Sequence, residues 1–237
     1  MIATHLPGLR VVEVTDERSE LARRAIARIQ DAIWDVHPTG SLLAELRETR
    51  LGTARGGAYH LLAMLDTGEQ DPVAAAAGVY LEAVNAGFVS YLAVREDQRG
   101  RGLGRELRGH LLEAFRAQAR RARGVDPACV LGEVERESEW LRMLVREGRV
   151  VPLDVPYFHP WMSRGAEHHY ALYLEPMADK RTELPSAEVA RLIEAIWRRA
   201  YHFDRLERSD TFRYMMQRLE GRETVGPDPE FLRQLPS

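Results

Sequence analysis

The sequence contains one cysteine, Cys129, and no apolar stretch of the length that a membrane span or a signal peptide requires. A single cysteine cannot form an intrachain disulfide, which is typical of proteins in a reducing compartment. No run approaches the roughly 20 apolar residues that carry a helix across a bilayer. The N-terminal MIATHLPGLR also lacks the apolar core of a signal peptide. We therefore expect a cytoplasmic protein that does not insert into a membrane.

A large net charge is also absent. The 237 residues carry a formal net charge of -3 with a pI near 6.3, so the overall charge gives no reason to expect nucleic acid or an anionic membrane as a partner. A hydrophobic fraction of 45% with 29% charged residues is ordinary for a globular protein. The length allows one substantial domain with an appendage.

Apolar spacing and turn residues predict the order of the secondary structure elements. The first helix follows a strand at 9–14 and is expected to end near His37-Pro38, because the residue before a proline avoids helical angles. The next predicted elements are a helix at 41–50, strands at 58–65, 72–82 and 88–94, a long helix at 103–121, a strand at 128–135, a helix at 137–147, and strands at 150–155 and 169–174. After Pro176 the spacing is wholly helical, and Gly226 to Pro229 with the last residues are expected to form a poorly ordered tail. The prediction is an α/β (α+β) fold with a mixed, centrally antiparallel sheet of six to seven strands flanked by helices.

The most informative stretch is Arg99-Gly100-Arg101-Gly102-Leu103-Gly104, which lies between an apolar strand and the long helix. Glycine loses more backbone freedom on folding than any other residue, so three glycines at alternate positions indicate a need for bare backbone. The N–H groups and the dipole at a helix N-terminus attract anions. Residues 95–123 contain nine arginines and four acidic residues, a local charge of +5 in a chain whose total is -3. This stretch therefore predicts a phosphate-binding loop.

Phosphate-binding loops of three kinds can be compared with this stretch. A P-loop ends in Gly-Lys-Ser/Thr, which is missing here. The dinucleotide fingerprint G-x-G-x-x-G fails at its last glycine, where the chain has Arg105, and the strands before the loop are predicted to be antiparallel. The acyl-coenzyme A loop, Arg/Gln-x-x-Gly-x-Gly/Ala, matches from Arg99 to Gly104. A glycine-rich turn without a ligand is the remaining alternative.

With this motif and this order of elements, the chain resembles the GNAT superfamily of N-acetyltransferases over about residues 9–177. The resemblance implies a GNAT-type domain at 1–177, a C-terminal helical extension at 178–237, and acetyl-CoA as co-substrate. It also implies transfer of an acetyl group to a primary amine of a small molecule or peptide by direct attack. In the family, the strand before the loop contacts the pantetheine arm and the loop amides hold the pyrophosphate. The implied cofactor contacts are Leu92, Val94, Arg99, Gly100, Arg101, Gly102, Leu103, Gly104 and Arg105.

A catalytic base is implied by Gly132-Glu133-Val134-Glu135, in the strand after the long helix. This segment is similar to the Leu-Glu-Val of ribosomal-protein N-terminal acetyltransferases, in which the glutamate is the general base. The resemblance assigns that role to Glu133. The base of histone-type enzymes corresponds to Phe88 here, which excludes their arrangement. A solvated carboxylate at a strand end is the alternative for Glu133.

The leaving-group acid that is usual in the family is missing. Its Tyr-x-x-x-Gly pattern, counted back from Gly148, reaches Leu144. Tyr157, Tyr170 or Tyr173 could supply a phenol instead, although each is also typical of a core aromatic with a wet hydroxyl. Without that phenol, a non-catalytic acyl-CoA sensor or assembly protein is the alternative function.

Three further features give weaker expectations. The adjacent His168 and His169 point to opposite faces of a predicted strand, so no metal site is expected from them. Trp34 and His37 either border the acceptor pocket or pack as a helix end. The amphipathic helices of the extension either complete the core or pair two subunits as a homodimer.

Overall fold

The computed structural model describes residues 2–3, 6–162, 170–178 and 180–235. His168, His169 and the last two residues of the predicted tail lie outside these ranges. The chain divides into two units, the first formed by Met1–Glu82 with Val89–Val125 and the second by Ala83–Phe88 with Asp126–Ser237. In the described ranges, no helix is both long enough and apolar enough to cross a membrane.

The first unit is a sheet with helices packed on it. Its elements are β1 (Ile2–Ala3), β2 (Leu9–Glu13), α1 (Glu20–Gln30), α2 (Thr39–Leu51), β3 (Tyr59–Asp66), β4 (Pro72–Leu81), β5 (Ala86–Val94, from Val89 onward in this unit) and α3 (Leu103–Arg123). The strands lie side by side in that order, and β1 to β4 pair as antiparallel neighbours. Both α1 and α3 contact β4, whose ten residues are all buried. The alanines at 74–77 therefore lie within a buried strand, where their small side chains let the helices pack closely on the sheet.

The first helix ends earlier than predicted. Ser19 caps α1 by accepting a hydrogen bond from the N–H of Ala22 at 3.2 Å, and the helix ends at Gln30 rather than near His37. The backbone N–H of His37 donates instead to the hydroxyl of Tyr91 at 3.3 Å. The apolar residues after Gln30 continue at helical spacing, so periodicity alone does not locate the end of α1.

The second unit contains three strands that pair with one another, several helices and a separate two-stranded ribbon. Its elements are β6 (Cys129–Glu135), α4 (Glu139–Arg146), β7 (Val151–Pro152), β8 (Tyr170–Pro176), β9 (Leu184–Pro185), α5 (Ser186–Arg199), α6 (Asp210–Leu219), β10 (Thr224–Val225) and α7 (Pro229–Arg233). Strand β8 pairs antiparallel with β6 on one side and β7 on the other, while β9 and β10 pair separately. The extension is therefore not wholly helical, and the predicted strand at 150–155 is reduced to β7 and a bridge between Leu153 and Pro227.

The predicted fold class is confirmed. Among the described residues, six strands have five or more residues, namely β2 to β6 and β8, and helices flank them. Strand β1 was not predicted. Apart from α1 and the strand at 150–155, each predicted element as far as β8 begins and ends within two residues of its predicted bounds.

The two faces of the β6–β8 pair have different neighbours. Adjacent side chains of a strand point to opposite faces, so Gly132 and Val134 share one face and Glu133 and Glu135 the other. Helix α4 packs on the first face, in a core cluster of Leu141, Leu144, Val150, Ala171, Tyr173 and Phe231. The side chain of Glu133 therefore lies on the face away from α4.

Residues 226–229 are ordered, so the predicted tail is wrong for them. The carbonyl of Gly226 accepts a hydrogen bond from the N–H of Asp154 at 2.9 Å. The buried carboxylate of Asp228 pairs with Arg136 at 2.7 Å and caps the start of α7. The glycine and prolines that suggest disorder in the sequence serve a turn and a helix cap instead.

Candidate active site

The predicted phosphate-binding loop forms the N-terminus of α3 in the first unit. Gly100 and Gly102 have φ angles of 78° and 81°, in the left-handed region that favours glycine. A Cβ at either position would meet no heavy atom of the described chain within 4 Å, so open space faces the backbone there. Gly102 is the N-cap of α3 and has no side chain with which to cap the first turn. Because a helix cannot satisfy its own first N–H groups, this end suits an anion.

Arginines surround the loop. Arg99 and Arg101 are exposed and keep local hydrogen bonds, from Arg99 Nε to the carbonyl of Val94 at 3.4 Å and from the Arg101 guanidinium to the side chain of Gln98. Arg105 is also exposed, in the first turn of α3. Guanidinium groups add full positive charges to the partial charge of the helix dipole. The residues present therefore fit the diphosphate of acetyl-CoA.

The remaining predicted cofactor contacts lie on either side of the loop. Burial alternates at the end of β5, where Leu92 and Val94 are half-buried and Ala93 between them is buried. Leu103 is buried and anchors the start of α3, while Gly104 is half-buried in its first turn. The nine predicted contacts thus all belong to the first unit, from the end of β5 to the first turn of α3. Their binding role stays a prediction.

Glu133 lies in β6 of the second unit. Its carboxylate accepts a hydrogen bond from the hydroxyl of Tyr201, which belongs to the C-terminal extension and stands 68 residues further along the chain. The side chain of Tyr201 is buried, and Glu133 itself is half-buried. Glu133 is therefore a hydrogen-bonded carboxylate in a partly enclosed setting rather than a solvated group at a strand end.

A second phenol, that of Tyr157, interacts with the same carboxylate. Tyr157 is fully buried, and burial together with the negative charge of Glu133 raises the pKa of its hydroxyl well above the usual value. The indole of Trp197 lowers this pKa but does not outweigh those two effects. The Tyr157 hydroxyl therefore stays protonated throughout the physiological pH range.

The structure separates the tyrosines that were expected to replace the missing acid. Leu144 packs in the core on the α4 face, and Tyr173 belongs to the same cluster, so both lie on the face away from the Glu133 side chain. Tyr170 shares the Glu133 face by its strand register. The charge of Glu133 contributes to the raised pKa of Tyr157, which places this phenol near the carboxylate.

Tyr201 was not predicted from the sequence, and His159 was expected only as part of the segment 154–161 that would line the acceptor pocket. Their rings meet edge to face with centroids 4.4 Å apart, and both side chains are buried. The aromatic residues Trp197, Tyr201 and Phe203 in close succession are a sequence signal for a packed site. This aromatic pattern does not predict that the Tyr201 hydroxyl bonds to Glu133.

Other predicted features contribute less. The side chain of Trp34 is 80% exposed, so the interpretation as a packed helix end is wrong for this residue. In the part of the chain that is described, no three His, Cys, Asp or Glu side chains are grouped as metal ligands would be.

Gly132 allows Tyr173 to pack directly on the backbone of β6. A Cβ built on Gly132 would lie 2.1 Å from Oη and 2.3 Å from Cζ of Tyr173. Gly132→Ala should therefore lower the free energy of unfolding by about 1–3 kcal/mol through overpacking, measured by urea denaturation. Gly109→Ala is the matched control, because the added Cβ meets nothing within 4 Å in α3 and should stabilise by about 0.5–1 kcal/mol. Wild-type stability of Gly132→Ala would contradict this packing.

The sequence of residues 23–128 matches the profile of the Acetyltransferase (GNAT) family. The match covers just under half of the chain, contains the whole predicted cofactor loop and ends before Glu133. No curated protein matches the sequence significantly.

Three solved structures are similar to the chain in fold. A chain of the NatC complex bound to Gag peptide and CoA aligns with a TM-score of 0.54 and 12% identity, over 72% of this chain and 99% of that one. The ribosomal-protein-S18-alanine N-acetyltransferase from Escherichia coli aligns with a TM-score of 0.50 and 18% identity, over 73% and 97%. An acetyltransferase of the GNAT family from Staphylococcus aureus Mu50 aligns with a TM-score of 0.51 and 8% identity, over 72% and 99%. Identities this low establish the fold alone.

Proposed function

We propose that this chain, which belongs to the GNAT family of acetyltransferases through residues 23–128, transfers an acetyl group from acetyl-CoA to a primary amine of a small molecule or peptide by direct attack. The observation that carries the proposal is the loop at 99–104, where two left-handed glycines open the N-terminus of a 21-residue helix among arginines. Acetyl-CoA, when bound, supplies the thioester that the amine attacks. The backbone from Gly100 to Arg105 would hold its diphosphate.

Glu133 is the proposed general base. An alkylammonium with a pKa of about 10 is mostly protonated at neutral pH, so a base must take its proton before the nitrogen can attack. A carboxylate held by a hydrogen bond from Tyr201 suits this role, because its acceptor atoms are kept in a defined orientation. Direct attack needs no covalent enzyme intermediate, so the buried Cys129 has no role in the transfer.

Two further groups complete the proposed chemistry. The backbone N–H near Val94 is the proposed donor to the developing oxyanion, by resemblance to the family. The leaving thiolate takes its proton from the departing ammonium, because full burial and a raised pKa make the Tyr157 phenol a poor proton donor. The transferase domain is then residues 1–177, and the extension at 178–237 contributes Tyr201 to the base.

The test is thiol release from acetyl-CoA in the presence of spermidine, kanamycin, lysine and a short peptide with a free N-terminus. We expect release with at least one of these amines, together with a rise in the melting temperature on addition of acetyl-CoA alone. Acetyl-CoA that stabilises the protein without turnover on any amine would favour the alternative function, a non-catalytic acyl-CoA sensor. This alternative is favoured by Leu144, a buried apolar residue at the position where the family usually has its tyrosine acid.

A further inference from the structure

The C-terminal extension supplies a hydroxyl to the proposed catalytic base. Tyr201 stands two residues after Arg199, the last residue of α5, and its hydroxyl donates to Oε1 of Glu133. We infer that Tyr201 is a positioning residue, which holds the Glu133 carboxylate in the orientation that proton abstraction requires. The extension is then part of the catalytic machinery rather than an appendage. This inference rests on the proposed function, because it needs Glu133 to act as the base.

The Tyr201 ring is fixed by two aromatic neighbours. It meets Phe88 with centroids 6.1 Å apart at an interplanar angle of 75°, and His159 with centroids 4.4 Å apart at 67°. Its side chain is 6% exposed, so water does not compete strongly for the hydroxyl. Two χ angles determine where a tyrosine hydroxyl lies, and ring contacts of this kind restrict both. The hydroxyl is therefore a rigid donor.

Helix α5, which ends two residues before Tyr201, is anchored by the core of the extension. Ile193, Ile196 and Trp197 of α5 are fully buried. The Trp197 ring also packs on Phe212 of α6, with centroids 5.2 Å apart. The position of Tyr201 thus depends on the packing of α5 and α6, which gives these helices a function beyond covering the sheet.

A glutamate on a strand needs such an anchor to act as a defined base. Its side chain has three χ angles and loses much rotamer freedom when it is fixed. The neighbouring strand does not fix the carboxylate, because the residue of β8 that pairs with Glu133 is the apolar Leu172. A hydrogen bond from a rigid phenol restricts the carboxylate directly.

A double-mutant cycle of Tyr201→Phe and Glu133→Gln tests the inference. Phenylalanine keeps the ring contacts and removes the hydroxyl. With acetyl-CoA and the most active amine of the panel, we expect kcat to fall about 10-fold, within the loss that misplacement of a reacting group produces. The KM values for acetyl-CoA and for the amine should stay within about twofold. In the Glu133→Gln background the same change should cost less than about twofold, because Tyr201 acts through the carboxylate.

Tyr214→Phe is the matched control. It removes a hydroxyl from the same extension, at a ring that packs on Phe158, and kcat should not change. All kcat values are normalised to the fraction of protein that binds acetyl-CoA, so that partial unfolding does not imitate the effect. Wild-type kcat in Tyr201→Phe, or equal losses in both backgrounds, would overturn the inference and leave the proposed function intact. A wild-type protein that binds acetyl-CoA but acetylates no amine would remove both.

Discussion

Gly102→Asp is expected to weaken acetyl-CoA binding by about 100-fold or more. A side chain at this N-cap enters the open space in front of the first turn of α3, where the diphosphate is proposed to lie. Like charges about 4 Å apart repel by about 1 kcal/mol in water and by about 4 kcal/mol near a protein surface, and the diphosphate carries more than one charge. The left-handed backbone costs a residue with a Cβ about 1–2 kcal/mol, and this cost lowers the affinity where the free loop relaxes out of the conformation that binds the diphosphate. Isothermal titration with acetyl-CoA measures the change in Kd.

Two variants separate the charge from the backbone strain. Gly102→Asn has nearly the same size and the same backbone penalty but no charge, so it should lose only about 10-fold in affinity. Gly109→Asp makes the same change of charge on an exposed position of α3, two turns further on, and should bind within about twofold of the wild type. A Gly102→Asp protein with the wild-type Kd would refute the placement of the diphosphate at this loop.

The loop could be predicted because its chemistry is local. The density of glycines indicates bare backbone, and open space faces the backbone at both Gly100 and Gly102. The start of α3 at Leu103 follows from the change of apolar spacing after the glycines. Each of these features depends on a few adjacent residues, so a single sequence contains the information needed to predict it.

Features that depend on distant segments could not be predicted in the same way. Helical spacing continues past the end of α1 at Gln30, and the segment that follows bonds to Tyr91, 54 residues beyond His37. Periodicity predicts that α5 buries one face, but it does not show that Tyr201, two residues after the helix, meets Glu133, 68 residues earlier. The site was therefore predicted as one carboxylate, whereas the structure surrounds that carboxylate with Tyr201 and Tyr157.

Glu133→Gln is expected to lower kcat by about 100- to 10,000-fold, the range that general base catalysis contributes. Glutamine keeps the size of the side chain and a carbonyl oxygen that can accept the Tyr201 hydrogen bond, so the fold should persist. The Kd for acetyl-CoA should stay within about twofold, because the proposed contacts to it belong to the loop and to the end of β5. Steady-state kinetics on the best amine, with a parallel binding titration, measure both quantities.

The pH dependence of this variant distinguishes a base from a group that merely attracts a cationic substrate. Without the base, turnover depends on the neutral fraction of the amine, which rises about tenfold per pH unit up to an amine pKa of about 10. The deficit of Glu133→Gln should therefore shrink as the pH increases. Glu135→Gln, two residues further along the same face of β6, removes an equal charge and should keep wild-type kcat at every pH. A deficit independent of pH, or one shared by Glu135→Gln, would mean that Glu133 acts through its charge and not by taking the proton.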